Sequence, residues 1–418
     1  MAQLSDDCFA FGGALLTVEE ALARISERVT CVVGNETVPL RAAAGRILAC
    51  DLLAPMNLPP HANSAVDGYA VAFTDLSPET ETELPVGGRA AAGHPLDRPI
   101  RRGEAIRIFT GAPMPDGADT VLMQEDCVVA NGRVRLKFGI RKGANRRHAG
   151  EDVASGETAL AAGRRIGPAE IGLAAALGYR ELPVCRPLRA ALLSTGDEVR
   201  EPGAALPPGM IYDANRFMLA AMLEGLGCVV GDFGIRPDRE AALVDTLRVA
   251  SGDHDLIVTS GGVSTGDEDH VKAAVERLGV VHFWRLAIKP GRPVALGQVA
   301  GVPLIGLPGN PVAVAVTFAV LARPLILKLA GTTASAPRTF PARAGFAYRK
   351  KPGRREYLRA RLTPDGEGGQ AAVIFPREGA GILSSLVEAD GLVELPESLT
   401  RLERGSMVDF LPFSELGL

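Results

Sequence analysis

The stretch from residue 188 to residue 337 constrains the fold most, because apolar strand patterns alternate there with helical patterns. LRAALLS at residues 188–194 and DLIVTS at residues 255–260 are short apolar runs typical of strands buried in a parallel sheet. Helical periodicity covers residues 213–227 and 238–250 between them. This alternation predicts a doubly wound α/β domain, in which ligands bind beyond the carboxyl ends of the strands.

A loop that combines glycine and acidic residues follows the strand DLIVTS. Residues 260–269, SGGVSTGDED, end in three carboxylates, and helical spacing resumes directly after them. Bare backbone N–H groups in such a loop bind phosphate, but adjacent acids repel a phosphate unless a cation lies between them. The loop therefore predicts a bound phosphate, a metal ion or both. The alternative is a structural turn made by Gly261 and Gly262, with Asp269 capping the next helix.

A second loop of the same kind follows the first strand. In STGDE, residues 194–198, the small polar residues Ser194 and Thr195 precede the acid Glu198. Two acid-tipped loops at one sheet edge can share a divalent ion, and Mg²⁺ binds a few carboxylates together with water and phosphate oxygens. We therefore expect Glu198 and Asp269 to bind Mg²⁺. The alternative is that each loop only caps its own helix.

Two further loops add positive charge and rigid backbone near the same edge. LAIKPGRP at residues 286–293 presents Lys289 and Arg292 from a loop stiffened by proline and glycine, which suits the binding of an oxyanion. GLPGNP at residues 306–311 is a rigid turn before an apolar helix and can present backbone groups to a ligand. Two basic residues in a loop are usually only solvated surface, and each feature alone is weak. Together with the acidic loops they place both signs of charge at one end of one sheet.

The first half of the chain contains helical patterns on both sides of a β-rich part. Residues 17–28 predict a helix capped by Thr17, and residues 167–178 predict another. Residues 54–156 have short alternating runs, with a hairpin signal at Asn131-Gly132. The segments around the β-rich part are therefore expected to form one discontinuous domain.

The expected domain boundaries follow from these patterns. The discontinuous domain covers residues 15–53 and 157–187, and the α/β domain covers residues 188–337. From residue 338 to residue 418, short strand patterns around PDGEGG predict a small closed β domain. Residues 311–330 are apolar but are interrupted by charged residues and a proline, so we expect a buried helix and no membrane span.

Charge, cysteine usage and missing motifs argue against several classes of protein. The chain has 45 basic and 49 acidic residues, a formal net charge of −4, so no global positive field attracts nucleic acid or an anionic membrane. The six cysteines form no CxxC pair and no cluster at zinc spacing. Asp6 and Asp7 argue against a secretory signal, and a cytoplasmic location is expected. Standard dinucleotide and P-loop motifs are missing.

A series of motifs spread over nearly the whole chain carries a family resemblance. In chain order they are NSAVDGYA (63–70), FTGAPMPDGADTVLMQED (109–126), GED (150–152), STGDE (194–198), TSGGVSTGDED (259–269), LAIKPGRP (286–293) and GLPGNP (306–311). Their order and spacing resemble those of the molybdopterin molybdenumtransferase family. These are MoeA-like proteins, similar also to the E domains of plant Cnx1 and animal gephyrin.

The resemblance implies a four-domain, homodimeric protein. The domains are a helical and β scaffold, a β-rich lid, a doubly wound MoaB- and MogA-like molybdopterin-binding domain and a C-terminal β-barrel. The implied activity is Mg²⁺-assisted insertion of molybdate into adenylylated molybdopterin, with release of AMP and formation of molybdenum cofactor. Transient contacts with the molybdopterin adenylyltransferase and with proteins that accept the cofactor are expected, whereas nucleic acid and membranes are not.

The same resemblance assigns roles to individual residues. The acids that match catalytic positions are Asp67, Asp152, Glu198 and Asp269. The residues expected to bind substrate are Thr110, Ser194, Thr195, Gly261, Gly262, Ser264, Lys289, Arg292, Pro308, Asn310 and Pro311. For Asp67 a structural alternative stands beside this role, because Asp-Gly is a turn dipeptide.

The chain departs from the family pattern at several positions, which are His148, Ala149, His270, Ala313 and Ala380. Arg292 stands where lysine is frequent and keeps the positive charge. Ala380 replaces a serine associated with the initial binding of molybdate, so that oxyanion site is expected to be altered. Arg354 and Arg359 remain basic candidates there. The alternative for them is a solvated basic edge strand.

Two other functions share parts of this pattern. Animal relatives also act as scaffolds that cluster membrane receptors, but this chain shows no long linker and no second molybdopterin-binding domain. Similar α/β domains occur in nucleotide-processing enzymes related to competence-induced proteins. The motifs NSAVDGYA and FTGAP favour the insertase, because they belong to its lid. Molybdate and tungstate, tetrahedral dianions of nearly equal size, are equally suited as the metal substrate.

Overall fold

The computed structural model of the chain describes residues 15–261, 270–333, 336–366 and 368–418. These residues form a multidomain α/β structure with three six-stranded sheets, which confirms the predicted fold class. The predicted Gly262, Ser264 and Asp269 lie outside the described residues, and so do the first fourteen residues.

The N-terminal helix begins where the sequence predicts it. α1 (Val18–Arg28) is capped by Thr17, whose Oγ1 accepts the Glu20 N–H at 3.2 Å, while the Glu20 carboxylate accepts the Thr17 N–H at 2.9 Å. This capping box satisfies two N–H groups at the helix start. The strands β1 (Asn35–Pro39) and β2 (Leu52–Leu53) follow.

The next segment is β-rich, as predicted, and we call it the lid. Its strands are β3 (Asn63–Ser64), β4 (Gly68–Val71), β5 (Thr82–Ala90), β6 (Ala105–Ile108), β7 (Thr120–Met123), β8 (Cys127–Ala130), β9 (Arg133–Leu136) and β10 (Arg146–Arg147). Six of them form one sheet in the order β7-β4-β6-β5-β9-β8. Asn131 and Gly132 have φ values of 49° and 74°, as a type I′ hairpin turn requires, which confirms the predicted hairpin.

The chain then returns to the elements that precede the lid. β11 (Thr158–Leu160) pairs with β2, and β12 (Glu181–Cys185) pairs with β1, both antiparallel. Between them, α2 (Pro168–Ala176) has proline in its first turn and is followed by Gly178 at φ 87°. The segments on either side of the lid therefore pack together, and the domain boundaries themselves stay a prediction.

The α/β region alternates strands and helices. Its elements are β13 (Arg189–Thr195), β14 (Val199–Arg200), β15 (Ile211–Tyr212), α3 (Asn215–Gly225), β16 (Val229–Arg236), α4 (Glu240–Asp253), β17 (Leu256–Ser260), α5 (His270–Glu276), β18 (Gly279–Arg285), β19 (Ile288–Lys289), β20 (Pro293–Val299), β21 (Val302–Leu307), α6 (Pro311–Thr317) and α7 (Arg323–Leu329).

The sheet of this region has the order β16-β13-β17-β21-β20-β18. The first four strands are parallel, and β20 and β18 add an antiparallel edge. From β13 the chain moves outward to β16 and then returns to β17 on the other side of β13. The order thus reverses between β13 and β17, and a crevice for a ligand opens outside their carboxyl ends.

A long apolar helix, Pro311–Leu329, supports this sheet. By length and composition it could cross a membrane, but 83% of its most apolar window is buried inside the fold, as predicted for a core helix. Pro324 lies inside this helix and does not end it. A π-helical turn at Phe318–Ala322 precedes it and covers the position four residues before the proline, where an α-helix would clash with the ring.

The C-terminal segment forms the small closed β domain that the sequence predicts, here called the barrel. Its elements are β22 (Phe340–Ala344), β23 (Tyr348–Arg349), β24 (Arg355–Pro364), β25 (Gln370–Ile374), α8 (Ser384–Glu388), β26 (Gly391–Leu395), β27 (Arg401–Leu402), β28 (Met407–Pro412) and α9 (Phe413–Leu416). β24, β25, β22, β28 and β26 pair in a closed ring. In addition, β19 of the α/β region pairs with β24.

Candidate functional site

A cavity of about 610 Å³ lies where the carboxyl edge of the α/β sheet meets the barrel. From the α/β region it is lined by Glu198, Gly261, Lys289, Pro290, Gly291, Pro293, Pro308, Gly309, Asn310 and Ala313. From the barrel it is lined by Tyr357, Leu358, Arg359, Glu378, Gly379 and Ala380. The structure therefore brings together five predicted residues from four separate loops, and it adds a wall from the barrel.

The two loops at the switch point touch each other through their backbones. A Cβ atom on Gly261 would lie 2.8 Å from the carbonyl oxygen of Thr195, closer than such atoms approach, and Gly261 has φ 88°. Only glycine suits both constraints without strain. The predicted tight turn at Gly261 is thus real, and it holds the end of β17 against the end of β13.

Asn215 ties a third loop to this edge. Its Nδ2 donates to Ser260 Oγ at 2.9 Å and to the carbonyl of Gly309 at 2.6 Å. The N-cap of α3 is Ala214, and Asp213 just before it accepts the Arg216 N–H with its Oδ1 at 3.1 Å. Asn215 instead fixes the turn at residues 306–311 relative to β17.

Several polar atoms at the strand ends are buried without a hydrogen-bond partner among the described residues. They are Ser194 Oγ, Thr259 Oγ1 and the Oδ1 atoms of Asn215 and Asp238. Buried polar groups normally have partners, because an unsatisfied group costs free energy. Their concentration at the carboxyl edge is what a site for a polar ligand requires.

Acidic side chains surround the same edge. Burial raises the pKa of Asp238, His270 opposes that rise, and the neighbouring Asp197 and Glu198 add to it. Asp238 follows β16 as Glu198 follows β13, so the chain places an acid after adjacent strands. Sequence reasoning missed Asp238, although its position directly after a strand was a usable signal.

The donors at this edge have the chemistry that Mg²⁺ prefers, because they are carboxylates beside an anion-binding crevice. Within the part of the chain that the structure describes, no three acid, histidine or cysteine side chains converge closely enough to hold a metal ion. Glu198 and Asp238 could therefore bind Mg²⁺ only with further oxygen ligands, such as substrate phosphate, water or the undescribed Asp269.

Lys289 is the cation of the α/β region that faces the cavity. Its Nζ lies 3.4 Å from Tyr348 Oη, 3.3 Å from Glu356 Oε2 and 3.6 Å from Glu378 Oε2. Burial by itself would lower the pKa of Lys289, but the tyrosine and the carboxylate of Glu356 outweigh it and raise the pKa. Lys289 is therefore charged at neutral pH.

Arg359 is the cation of the barrel that faces the cavity. It is only 7% exposed, so the alternative of a solvated edge strand is wrong for this residue. Its Nε donates to Ser385 Oγ at 3.0 Å and its Nη2 to the carbonyl of Gly379 at 3.3 Å. Burial lowers the pKa of Arg359, although an arginine remains charged. Arg354 does not line the cavity but contacts Glu356 at 3.6 Å.

Other predicted residues take different places. Ser194 and Thr195 form the buried end of β13, and Pro311 starts α6. Arg292 is not among the described residues that line the cavity, and its carbonyl accepts the Leu286 N–H at 2.8 Å. Of the departures from the family pattern, Ala313 and Ala380 line the wall, and His270 lies close enough to affect Asp238.

The predicted lid residues do not line the cavity within this single chain, as far as the described residues go. Asp67 Oδ1 accepts both the N–H and the Oγ1–H of Thr110, each at 2.8 Å. The backbone hydrogen bond from Thr110, followed by its side-chain hydrogen bond, lowers the pKa of Asp67. Asp152 is exposed, near His148 and Ala149 in sequence. Asp67 and Thr110 thus form one polar cluster on the lid.

Three family models match the chain in sequence order. The MoeA N-terminal region (domain I and II) matches residues 16–178, a probable molybdopterin binding domain matches residues 191–328, and the MoeA C-terminal region (domain IV) matches residues 341–413. Together they span most of the chain and include the lid, the cavity and the barrel.

Curated relatives and solved structures agree with these matches. A molybdopterin molybdenumtransferase of Haemophilus influenzae is 37% identical over 404 residues, which is 96% of this chain and 100% of the relative. Molybdopterin molybdenumtransferase 2 of Mycobacterium tuberculosis is 37% identical over 89% of this chain and 93% of its own length. A crystal structure of the molybdopterin biosynthesis MoeA protein from Pyrococcus horikoshii superposes with a TM-score of 0.80, at 27% identity over 96% of this chain and 100% of that one.

Proposed function

The chain belongs to the MoeA family of molybdopterin molybdenumtransferases, and from this premise we propose that it inserts molybdate into adenylylated molybdopterin. It is an enzyme of molybdenum cofactor biosynthesis. Hydrolysis of the phosphoanhydride bond releases AMP, and the two dithiolene thiols bind the metal while their protons leave with one oxygen of molybdate as water. The observation that carries this proposal is the cavity, which is lined by the cations Lys289 and Arg359, the acid Glu198 and several glycines.

The substrate requires two different kinds of contact, and the cavity offers both. Backbone groups of the turn at residues 306–311 and of the β13 and β17 loops suit the phosphates of a nucleotide-linked substrate. Lys289 and Arg359 suit a tetrahedral oxyanion, since both remain charged and face one space. The two walls belong to different parts of the fold, so the cavity can hold molybdate beside the molybdopterin sulfurs.

Glu198 and Asp238, together with Asp269, would hold Mg²⁺ at the crevice. When bound there, Mg²⁺ neutralises charge that develops on the phosphoanhydride oxygens. Gly261 holds the end of β17 against the end of β13, which leads to Glu198, and Asn215 joins the end of β17 to the turn at Gly309. The chain's own contribution is therefore the alignment of the anhydride with the cations of the cavity.

The protein acts as a cytoplasmic homodimer in this proposal, and the lid of one protomer covers the cavity of the other. Asp67 and Thr110 form a polar cluster that stays outside the cavity of their own chain. Adenylylated molybdopterin comes from the molybdopterin adenylyltransferase, and the finished cofactor passes to acceptor proteins. The match over residues 16–178 contains the lid motifs, which leaves no support for the nucleotide-processing alternative.

The test is a reconstituted reaction. Purified protein is incubated with adenylylated molybdopterin, molybdate and Mg²⁺, and AMP and molybdenum cofactor are measured over time. AMP release should depend on both molybdate and Mg²⁺, and omission of either provides the control. If no AMP is released under any of these conditions, the chain does not have the proposed activity.

A further inference from the structure

We propose that two glutamates beside Lys289 have opposite effects on the affinity of Lys289 for an oxyanion. Glu356 is a positioning residue that holds the ammonium group toward the cavity, and Glu378 is a displaceable counter-ion that occupies the place of the oxyanion until it binds. The inference rests on the proposed function in one respect, namely that Lys289 binds the molybdate oxyanion.

The position of Lys289 is set from the buried side. β19 and β24 pair in parallel, with Lys289 directly beside Glu356 in the ladder. Glu356 is 1% exposed, and its Oε2 lies 3.3 Å from Lys289 Nζ. Tyr348 Oη accepts from Lys289 at 3.4 Å and donates to the same Oε2 at 3.0 Å. The three groups form a closed triangle.

Glu356 cannot easily leave this arrangement. Its second oxygen, Oε1, lies 3.6 Å from the guanidinium of Arg354, so the buried carboxylate contacts two cations and one hydroxyl. Removing a partner from a buried charge is costly, because the remaining charge has lost both water and its counter-ion. Glu356 therefore fixes Lys289 whether or not a ligand is present.

Glu378 also lies near Lys289, but it is exposed where Glu356 is buried. Its side chain is 64% exposed, lines the cavity and lies 3.6 Å from Nζ, beyond hydrogen-bond distance. An ion pair of this kind is weak and screened by salt. An ammonium group has three N–H donors, and two of them face Tyr348 and Glu356. The third is available on the cavity side, where Glu378 now lies.

An oxyanion that binds Lys289 must therefore compete with the carboxylate of Glu378. Two anions at one ammonium repel each other, so binding of a dianion requires Glu378 to turn toward solvent. The exchange replaces one negative partner by another and leaves Lys289 paired throughout. Glu378 thus weakens the binding of molybdate, whereas Glu356 strengthens it.

The test compares isosteric changes at the two glutamates. Glu378→Gln should lower the molybdate concentration for half-maximal AMP release by about two- to fivefold, as expected for removal of an exposed competing ion pair. Glu356→Gln should raise it about tenfold, as expected when a hydrogen bond to a charged group is weakened. Glu403→Gln is the control, since it removes the same charge from an exposed barrel residue that pairs with Arg401.

Molybdate binding by calorimetry, without the molybdopterin substrate, gives a readout that does not depend on turnover. A shift in the same direction for both variants, or no shift for Glu378→Gln relative to Glu403→Gln, overturns the inference even if AMP is released.

Should Glu356→Gln unfold, Tyr348→Phe must raise the half-saturating concentration instead. In a Lys289→Gln background Glu378→Gln should have no effect. Wild-type protein that binds molybdate as predicted but releases no AMP would contradict the proposed function alone.

Discussion

Gly261 approaches Thr195 so closely that a Cβ atom at residue 261 would lie 2.8 Å from the Thr195 carbonyl oxygen. This contact joins the two loops on either side of the switch point. The loop after β17 therefore cannot be altered at residue 261 without moving the end of β13, which leads to Glu198.

The first prediction is that Gly261→Ala lowers both stability and turnover. The positive φ and the short contact together should cost about 1–3 kcal/mol, measured by chemical unfolding. Gly203→Ala is the matched control, because Gly203 has φ 86° and nothing within 4 Å of its added Cβ. A loss equal to that of the control would mean that the contact with Thr195 is unimportant.

The second prediction separates the two cations of the loop at residues 286–293. Lys289→Ala should raise the molybdate concentration for half-maximal rate about tenfold or more, because it removes a charge from the cavity wall. Arg292→Ala should have a much smaller effect, since Arg292 is not among the described lining residues. The measurement is the rate as a function of molybdate concentration for both variants. Equal effects would show that Arg292 also contacts the substrate.

The third prediction concerns Asp238. Its pKa is raised, so in the folded protein its ionised form costs stability once the pH exceeds the ordinary value for an aspartate. Asp238→Asn should raise the melting temperature at neutral pH by about one or two degrees. It should also raise the Mg²⁺ concentration needed for turnover. Wild-type protein should need more Mg²⁺ as the pH falls through the raised pKa, because the carboxylate takes up a proton.

The control for this prediction is Asp245→Asn, a change at an exposed surface acid that pairs with Arg248. Asp245 lies on α4 with its side chain exposed, and its change should alter neither the Mg²⁺ requirement nor its pH dependence. A destabilised Asp238→Asn with an unchanged Mg²⁺ requirement would make Asp238 a structural residue.

The fourth prediction tests the shared active site. Asp67→Ala and Asp269→Ala homodimers should each be inactive, because each lacks one acid at every site. In mixed dimers one site carries both changes and the other carries none, so random coexpression should restore about a quarter of wild-type activity in a two-fold dimer. Two affinity tags identify the mixed dimers. If they form and remain inactive, each site is built within one chain.

Local patterns explain why much of the fold could be predicted. The capping box at Thr17 and the Asn131-Gly132 turn depend on neighbouring residues, and both are present. The loop at Gly261 could be placed at a strand end because the period of the flanking elements changes there. Each of these features depends on residues only a few positions apart in the sequence, so tertiary contacts did not change it.

The barrel side of the site could not be predicted in the same way. Glu356 meets Lys289 only because β19 pairs with β24, a long-range contact that no local pattern encodes. Arg359 lies in a basic segment that is typical of a solvated edge strand, yet tertiary packing buries its side chain. The side-chain amide of Asn215 contacts Ser260 at the end of β17, and no local pattern encodes this long-range contact either.

The pairing of β2 with β11 places Leu53 opposite Thr158, so the two chain ends of the lid emerge side by side. In topological terms the lid is one insertion between β2 and β11, and the pairs β1–β12 and β2–β11 are formed by the chain on either side of it. Its removal and replacement by a short connector would leave β1 with β12 and β2 with β11 in their present registers. The lid could thus be gained or lost without any change in the path of the chain through the α/β sheet and the barrel.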